Sequence, residues 1–99
     1  MKRWDIYIAN VPFEDLPVSK LRPVIVLDSG YALIDCIKMT SQPPRTGEYI
    51  LQRWEDAGLH KPTTVRISKR LALAPDAFVK YIGTLTTVDI IEIQKRLTM

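Results

Sequence analysis

The chain has little of what fixes small folds covalently or through metals: one cysteine, one histidine and four glycines in ninety-nine residues. A single cysteine, Cys36, excludes an internal disulfide and suits a reducing compartment. His60 and Cys36 lie far apart, and the carboxylates are scattered rather than set at ligand spacing. No metal site is therefore expected, and no cofactor. No apolar run is long enough to span a bilayer. In the opening stretch, MKRWDIYIANVPF, Asp5, Asn10 and Pro12 interrupt any signal-peptide core. The expectation is a cytoplasmic protein without a membrane partner. Repeats, low-complexity tracts and linkers are also missing, so one domain is expected over residues 1–99.

What is present reads as an ordinary folded chain, 46% hydrophobic and 25% charged, a balance that argues against disorder. The net charge of +3 permits a nucleic-acid partner without requiring one. A chain this short buries a modest core, which association would enlarge.

Alternation of Ile6 and Ile8 with Asp5, Tyr7 and Ala9 predicts a half-buried strand over 4–10. VPFEDLPVSK, residues 11–20, reads as a loop. Strands are expected at 23–28 and, after a DSG turn at 28–30, at 31–39, where apolar content suits a central position. Pro43 and Pro44 lack donors and end ladder pairing. A short strand follows at 48–51, and QRWEDAG predicts a helical turn closed by Gly58. Residues 63–67 and 70–74 read as one bent strand, while 76–84 fits a helical turn or a strand. Thr86 and Asp89 have capping-box spacing, with Leu85 and Ile90 as a hydrophobic staple. Ile90, Ile93 and Leu97 then give one apolar face, predicting a helix over about 86–97. Many short strands before one helix suggest a mainly β fold with a C-terminal α-helix, an SH3-like small barrel. Cys36 is expected as core filling. Trp4 and Trp54 suit either base stacking or apolar packing.

The stretch SKLRPVIVLDSG, residues 19–30, places an arginine at the mouth of a core strand. Pro23 fixes its own φ and drives Arg22 into extended conformation, so the guanidinium projects from a stiff base.

These residues carry a resemblance. RWDIYIANVPF, KLRPVIVLD, CIKMTSQ, AGLHKPTTVRI and IGTLTTVDIIEI follow the order of motifs in the PemK/MazF-type toxins, the ribonuclease half of bacterial type II toxin–antitoxin pairs. The resemblance covers nearly the whole chain. It implies a barrel of the MazF/PemK/CcdB type, dimeric, cutting single-stranded RNA without a metal and neutralised by a cognate antitoxin, with operator DNA bound only through that antitoxin. It makes Arg22 and Thr40 the catalytic residues. Ser19, Lys20, Ser41, Gln42, Arg66, Ser68 and Lys69 are expected at the substrate. Some relatives carry Arg-x-Asp where this chain has Arg66-Ile67-Ser68, which leaves the proton acceptor open among Glu14, Asp15 and His60.

The residues suit that chemistry. RNA supplies its own nucleophile, the 2′-hydroxyl, so the protein need only orient it and stabilise charge on phosphorus. Arginine offers a permanent charge and a planar fork for two phosphate oxygens. The products would be a 2′,3′-cyclic phosphate and a 5′-hydroxyl. Two other readings use the same fold: a non-catalytic toxin that binds a protein such as DNA gyrase, and a degenerate member that only binds antitoxin. Arg22-Pro23 and Thr40-Ser41 favour the ribonuclease.

Overall fold

A computed structural model describes residues 1–13 and 15–98. The strands are β1 (Asp5–Pro12), β2 (Ser19–Ser29), β3 (Ile34–Thr40), β4 (Tyr49–Ile50), β5 (Thr64–Leu73) and β6 (Phe78–Thr84). A 3₁₀ turn (Pro75–Ala77) precedes β6, and the helix α1 (Thr87–Leu97) closes the chain. The order across the sheet is β4-β5-β3-β2-β1-β6, antiparallel throughout.

The central strands are buried on both faces, because opposed residues share a face and successive residues alternate. Ile6, Ile25 and Ile37 stand side by side on one face, and Val26, Cys36 and Leu71 on the other. The first row belongs to the larger core with Trp4, Met39, Leu85 and Ile93, covered by α1. The second belongs to a smaller core of Ala9, Val24, Ile34 and Leu73, against which Phe78 and Ala77 pack. Ile6, Ile25, Ile37, Met39 and Ile93 are fully buried, each contributing about 1.5–3 kcal/mol of transfer free energy. Cys36 is also fully buried, as expected.

Trp4 resolves toward packing: its ring lies in the larger core, while its backbone takes a left-handed φ of 76°. That conformation is costly for a bulky residue. It is held by Trp4 N–H donating to the Val26 carbonyl at 2.7 Å and by Leu85 N–H donating to the Trp4 carbonyl at 3.1 Å. Trp54 packs half-buried against the same core.

Several boundaries differ from the sequence reading. β2 starts at Ser19, so KLRP lies within the strand, and the preceding loop shortens to a span closed by Phe13 N–H donating to Val18 C=O at 2.9 Å. β3 starts at Ile34, and the turn moves to 30–33, where Gly30 N–H meets the Leu33 carbonyl at 3.1 Å. The stretch 76–84 is mostly strand. The sheet is open, unlike a closed barrel: β4 has only two residues, too short to pair along β6.

The helix begins where expected, but not by the capping box. Thr86 Oγ1 is buried without a partner among the described residues. The Asp89 carboxylate turns instead to the 49–53 segment. It accepts from the Tyr49 hydroxyl at 2.5 Å and from the Gln52 and Arg53 amides, both at 2.9 Å. Three donors in a buried site outweigh a single capping contact. Arg96 adds a second tie, its guanidinium 4.5 Å from the Tyr49 ring centroid. The predicted turn at 52–58 is present, with Ala57 N–H donating to Arg53 C=O at 3.2 Å and Gly58 at φ 95°. A side chain at Gly83 would collide with the Ala57 backbone, so this turn rides directly on β6.

Candidate functional site

Pro23 explains where the site lies. A proline in a central strand removes a ladder donor, and β2 tolerates it because the β2–β3 ladder begins one residue later, at Val24 opposite Lys38. Before that point the two strands part. On the far side of β3, pairing jumps from Ile37–Arg70 to Met39–Val65, so residues 66–69 bulge outward opposite Lys38. A bulge of this kind re-aims side chains.

Between the parted strands, beneath the β1–β2 loop, lies a cleft of about 420 Å³. β2 contributes Arg22, β3 contributes Lys38 and Thr40, and the β5 bulge contributes Arg66 and Lys69. Val11 and Phe13 give apolar wall, and Asp15 brings a carboxylate from the loop. Arg22 is half-buried beside Ala9, the small residue opposite it on β1. Arg66 is aimed by Glu48, its Nε donating to Oε2 at 2.9 Å. The Arg45 amide, first, and then Arg66 hold the Glu48 carboxyl below its ordinary range.

Thr40 ends β3, and its Oγ1 accepts the Gln42 amide at 3.2 Å. A hydroxyl has one proton and two lone pairs, so this turn contact leaves the O–H as a donor into the cleft. The Gln42 carbonyl, in turn, accepts from Thr64 Oγ1 at 2.9 Å, which pins the strand end.

A second depression of about 250 Å³ lies across Arg22, which lines both. Its walls are mostly apolar, with Ile8, Leu21, Pro23, Leu59 and Ile82, and its rim carries Ser41, His60, Lys61 and Thr63.

Of the residues expected from sequence, Arg22, Thr40, Arg66, Lys69 and Asp15 meet in the cleft. Ser41 and His60 fall in the second depression. Ser19, Lys20, Gln42 and Ser68 are exposed and line neither; Ser68 sits in the bulge. Glu14 lies outside the described residues. Lys38 was missed, although it stands two residues before Thr40 and alternation gives the two a common face. Glu48, which aims Arg66, carried no signal in the sequence. Among the described residues, no three His, Cys, Asp or Glu side chains group as metal ligands, and no helix is long and apolar enough to cross a membrane.

A sequence model of the family described as PemK-like, MazF-like toxin of type II toxin-antitoxin system matches residues 2–99. A search of curated proteins finds no match. Among solved structures, the chain is similar to an endoribonuclease in complex with its cognate antitoxin from mycobacterial species. That match is 13% identical with a TM-score of 0.79, over 99% of this chain and 91% of the other. It is also similar to the Mycobacterium tuberculosis toxin MazF-mt6, 17% identical with a TM-score of 0.75, over 94% of this chain and 91% of that one. At these identities the likeness speaks for the fold.

Proposed function

Because the chain belongs to the PemK-like, MazF-like toxins of type II toxin–antitoxin systems, we propose that its cleft cuts single-stranded RNA without a metal. The observation that carries this reading is the meeting of Arg22 and Thr40, from different strands, in one cation-lined cleft. The Arg22 fork holds two non-bridging oxygens of the scissile phosphate. The Thr40 proton is donated to a phosphate oxygen, while its lone pair stays on the Gln42 amide. The 2′-oxygen attacks phosphorus and its proton passes to Asp15, which accepts when ionised. The 5′-oxygen departs and takes a proton from solvent, leaving a 2′,3′-cyclic phosphate and a 5′-hydroxyl. Lys38, Arg66 and Lys69 carry the flanking phosphates by charge. Asp15 is favoured over His60 because it shares the cleft with Thr40. On this reading an acidic antitoxin segment covers the same cations, and a second copy of the chain completes a dimer.

The test is to incubate the purified protein with a long RNA in excess EDTA and map the ends. Cleavage is expected to persist and to leave 5′-hydroxyl ends. Arg22→Ala should abolish it with folding intact, and Arg22→Lys should restore little, since an ammonium lacks the fork. Activity that disappears with EDTA and returns with magnesium would overturn the mechanism. A folded protein that cuts nothing would leave the toxin as a binding module.

A further inference from the structure

Glu48 stands against the charge of the cleft beside it. Arg22, Lys38, Arg66 and Lys69 line that cleft, and a carboxylate bonded to one of them lowers the positive potential that draws phosphates. The shortest strand sets its place. β4 pairs with β5, Ile50 opposite Thr64 and Tyr49 opposite Val65, so the next residue back, Glu48, comes opposite Arg66. Both carboxylate oxygens are engaged. Oε1 accepts the Arg45 amide at 3.0 Å, and Oε2 accepts Arg66 Nε at 2.9 Å. The Glu48 amide donates to the Arg45 carbonyl at 2.9 Å, and Gly47 takes the φ of 82° that closes this turn. With Nε on Glu48, Arg66 presents its Nη groups to the cleft. The Glu48 side chain is 11% exposed, so water competes little for the pair.

The start of the same loop reaches the other strand. Thr40 Oγ1 accepts the Gln42 amide, and the Gln42 carbonyl accepts from Thr64 Oγ1. Thr64 is itself opposite Thr40 in the β3–β5 ladder. Pro43 and Pro44, between the two ends, have fixed φ. The 41–48 loop is thus tied to Thr40 at one end and to Arg66 at the other.

We infer that Glu48 and Thr64 are positioning residues for RNA cleavage, and that the 41–48 loop is a brace holding Thr40 and Arg66 in one frame. This rests on the ribonuclease reading above. Arg66, aimed through Glu48, seats a phosphate next to the one being cut, and the brace thereby sets where the scissile phosphate meets Thr40. Glu48 weakens the attraction for RNA and improves its alignment, so its effect falls on turnover rather than on binding.

The measurement is the single-turnover rate at saturating RNA, beside the RNA concentration that gives half that rate. Glu48→Gln offers one oxygen to two donors. Glu48→Asp keeps the charge but is one methylene too short to serve both. Each should slow the saturated rate about tenfold or more, toward the roughly 100-fold that a misplacement of about 1 Å costs. Glu48→Gln should not raise the half-saturating concentration, since a negative charge has left the cleft. Wild-type saturated rates in both variants, with RNA still cut, would overturn the inference and leave the ribonuclease standing. A Glu48→Gln protein that only binds RNA more tightly would do the same, by showing a charge effect alone. In an Arg66→Ala background, Glu48→Gln should slow nothing further; an undiminished effect there would make Glu48 a support of the fold and refute its positioning role. Thr64→Val tests the brace from its other end, and keeps the inference exposed if a Glu48 variant does not fold. It too should slow the saturated rate about tenfold, and an unchanged rate refutes the brace. One readout needs no catalysis. The NMR signal of the Arg66 Nε–H should shift and exchange faster with water in both Glu48 variants, and an unmoved signal would mean that Glu48 does not hold it. A wild-type protein that cuts no RNA would overturn both readings.

Discussion

In the proposed mechanism Thr40 serves twice, as a turn residue and as a donor to the scissile phosphate. Its acceptor side holds the Gln42 amide, and its donor side remains for a phosphate. Thr40→Ala should therefore slow RNA cleavage about 100-fold or more and also cost up to about 1 kcal/mol from the lost turn contact. Thr40→Ser keeps both sides and should retain much of the rate. Single-turnover kinetics with a melting curve on each variant separates the contributions. A stability loss without a rate loss would return Thr40 to the turn alone. At this scale, Arg22 was legible because the following proline marks it in the sequence. Lys38 was not, since it sits in a strand read as an apolar run. The aim of Arg66 was hidden as well, because Glu48 lies eighteen positions away along the chain and no local pattern links them.

The joint between α1 and the 49–53 segment shows how an element can be read correctly for an incomplete reason. The helix was legible from the spacing of Ile90, Ile93 and Leu97, whereas the destination of Asp89 depended on donors from a segment remote in sequence. Burial, first, and then the hydrogen bond to Asp89 push the Tyr49 phenol up to about 12. In an unfolded chain it titrates near about 10, so the folded state favours the protonated form. The associated stability is fully present below pH about 10 and is lost as pH rises toward about 12, on the order of 2 kcal/mol. Tyr49→Phe should remove that alkaline loss and, at neutral pH, cost about 1–3 kcal/mol because Asp89 forfeits a donor. Denaturant melts of both proteins at pH about 7 and about 11 check this. Parallel losses in the two would show that other groups govern the alkaline limb.

Across the whole molecule, the mainly β class and the terminal helix were legible because period-2 and period-3.6 patterns are local. The irregularity of β5 was legible in part, as the bend expected between 63–67 and 70–74, whereas the open sheet was not, because it depends on the length of β4 and on pairing between distant strands. The resulting two-sided core has a practical consequence through Cys36. Its thiol is pushed up to about 12, by burial and then by Asp35, and β3 is flanked by ladders to β2 and β5. Alkylation needs both thiolate and access. A reagent such as iodoacetamide should therefore label Cys36 only during openings that part the centre of the sheet. With one cysteine in the chain, the labelling rate becomes a clock for those openings, read without denaturant. Tyr49→Phe should quicken that clock about tenfold for every 1.4 kcal/mol it removes. An unchanged rate would mean that the thiol is reached by a local breach of the strand, with the joint at Asp89 still closed.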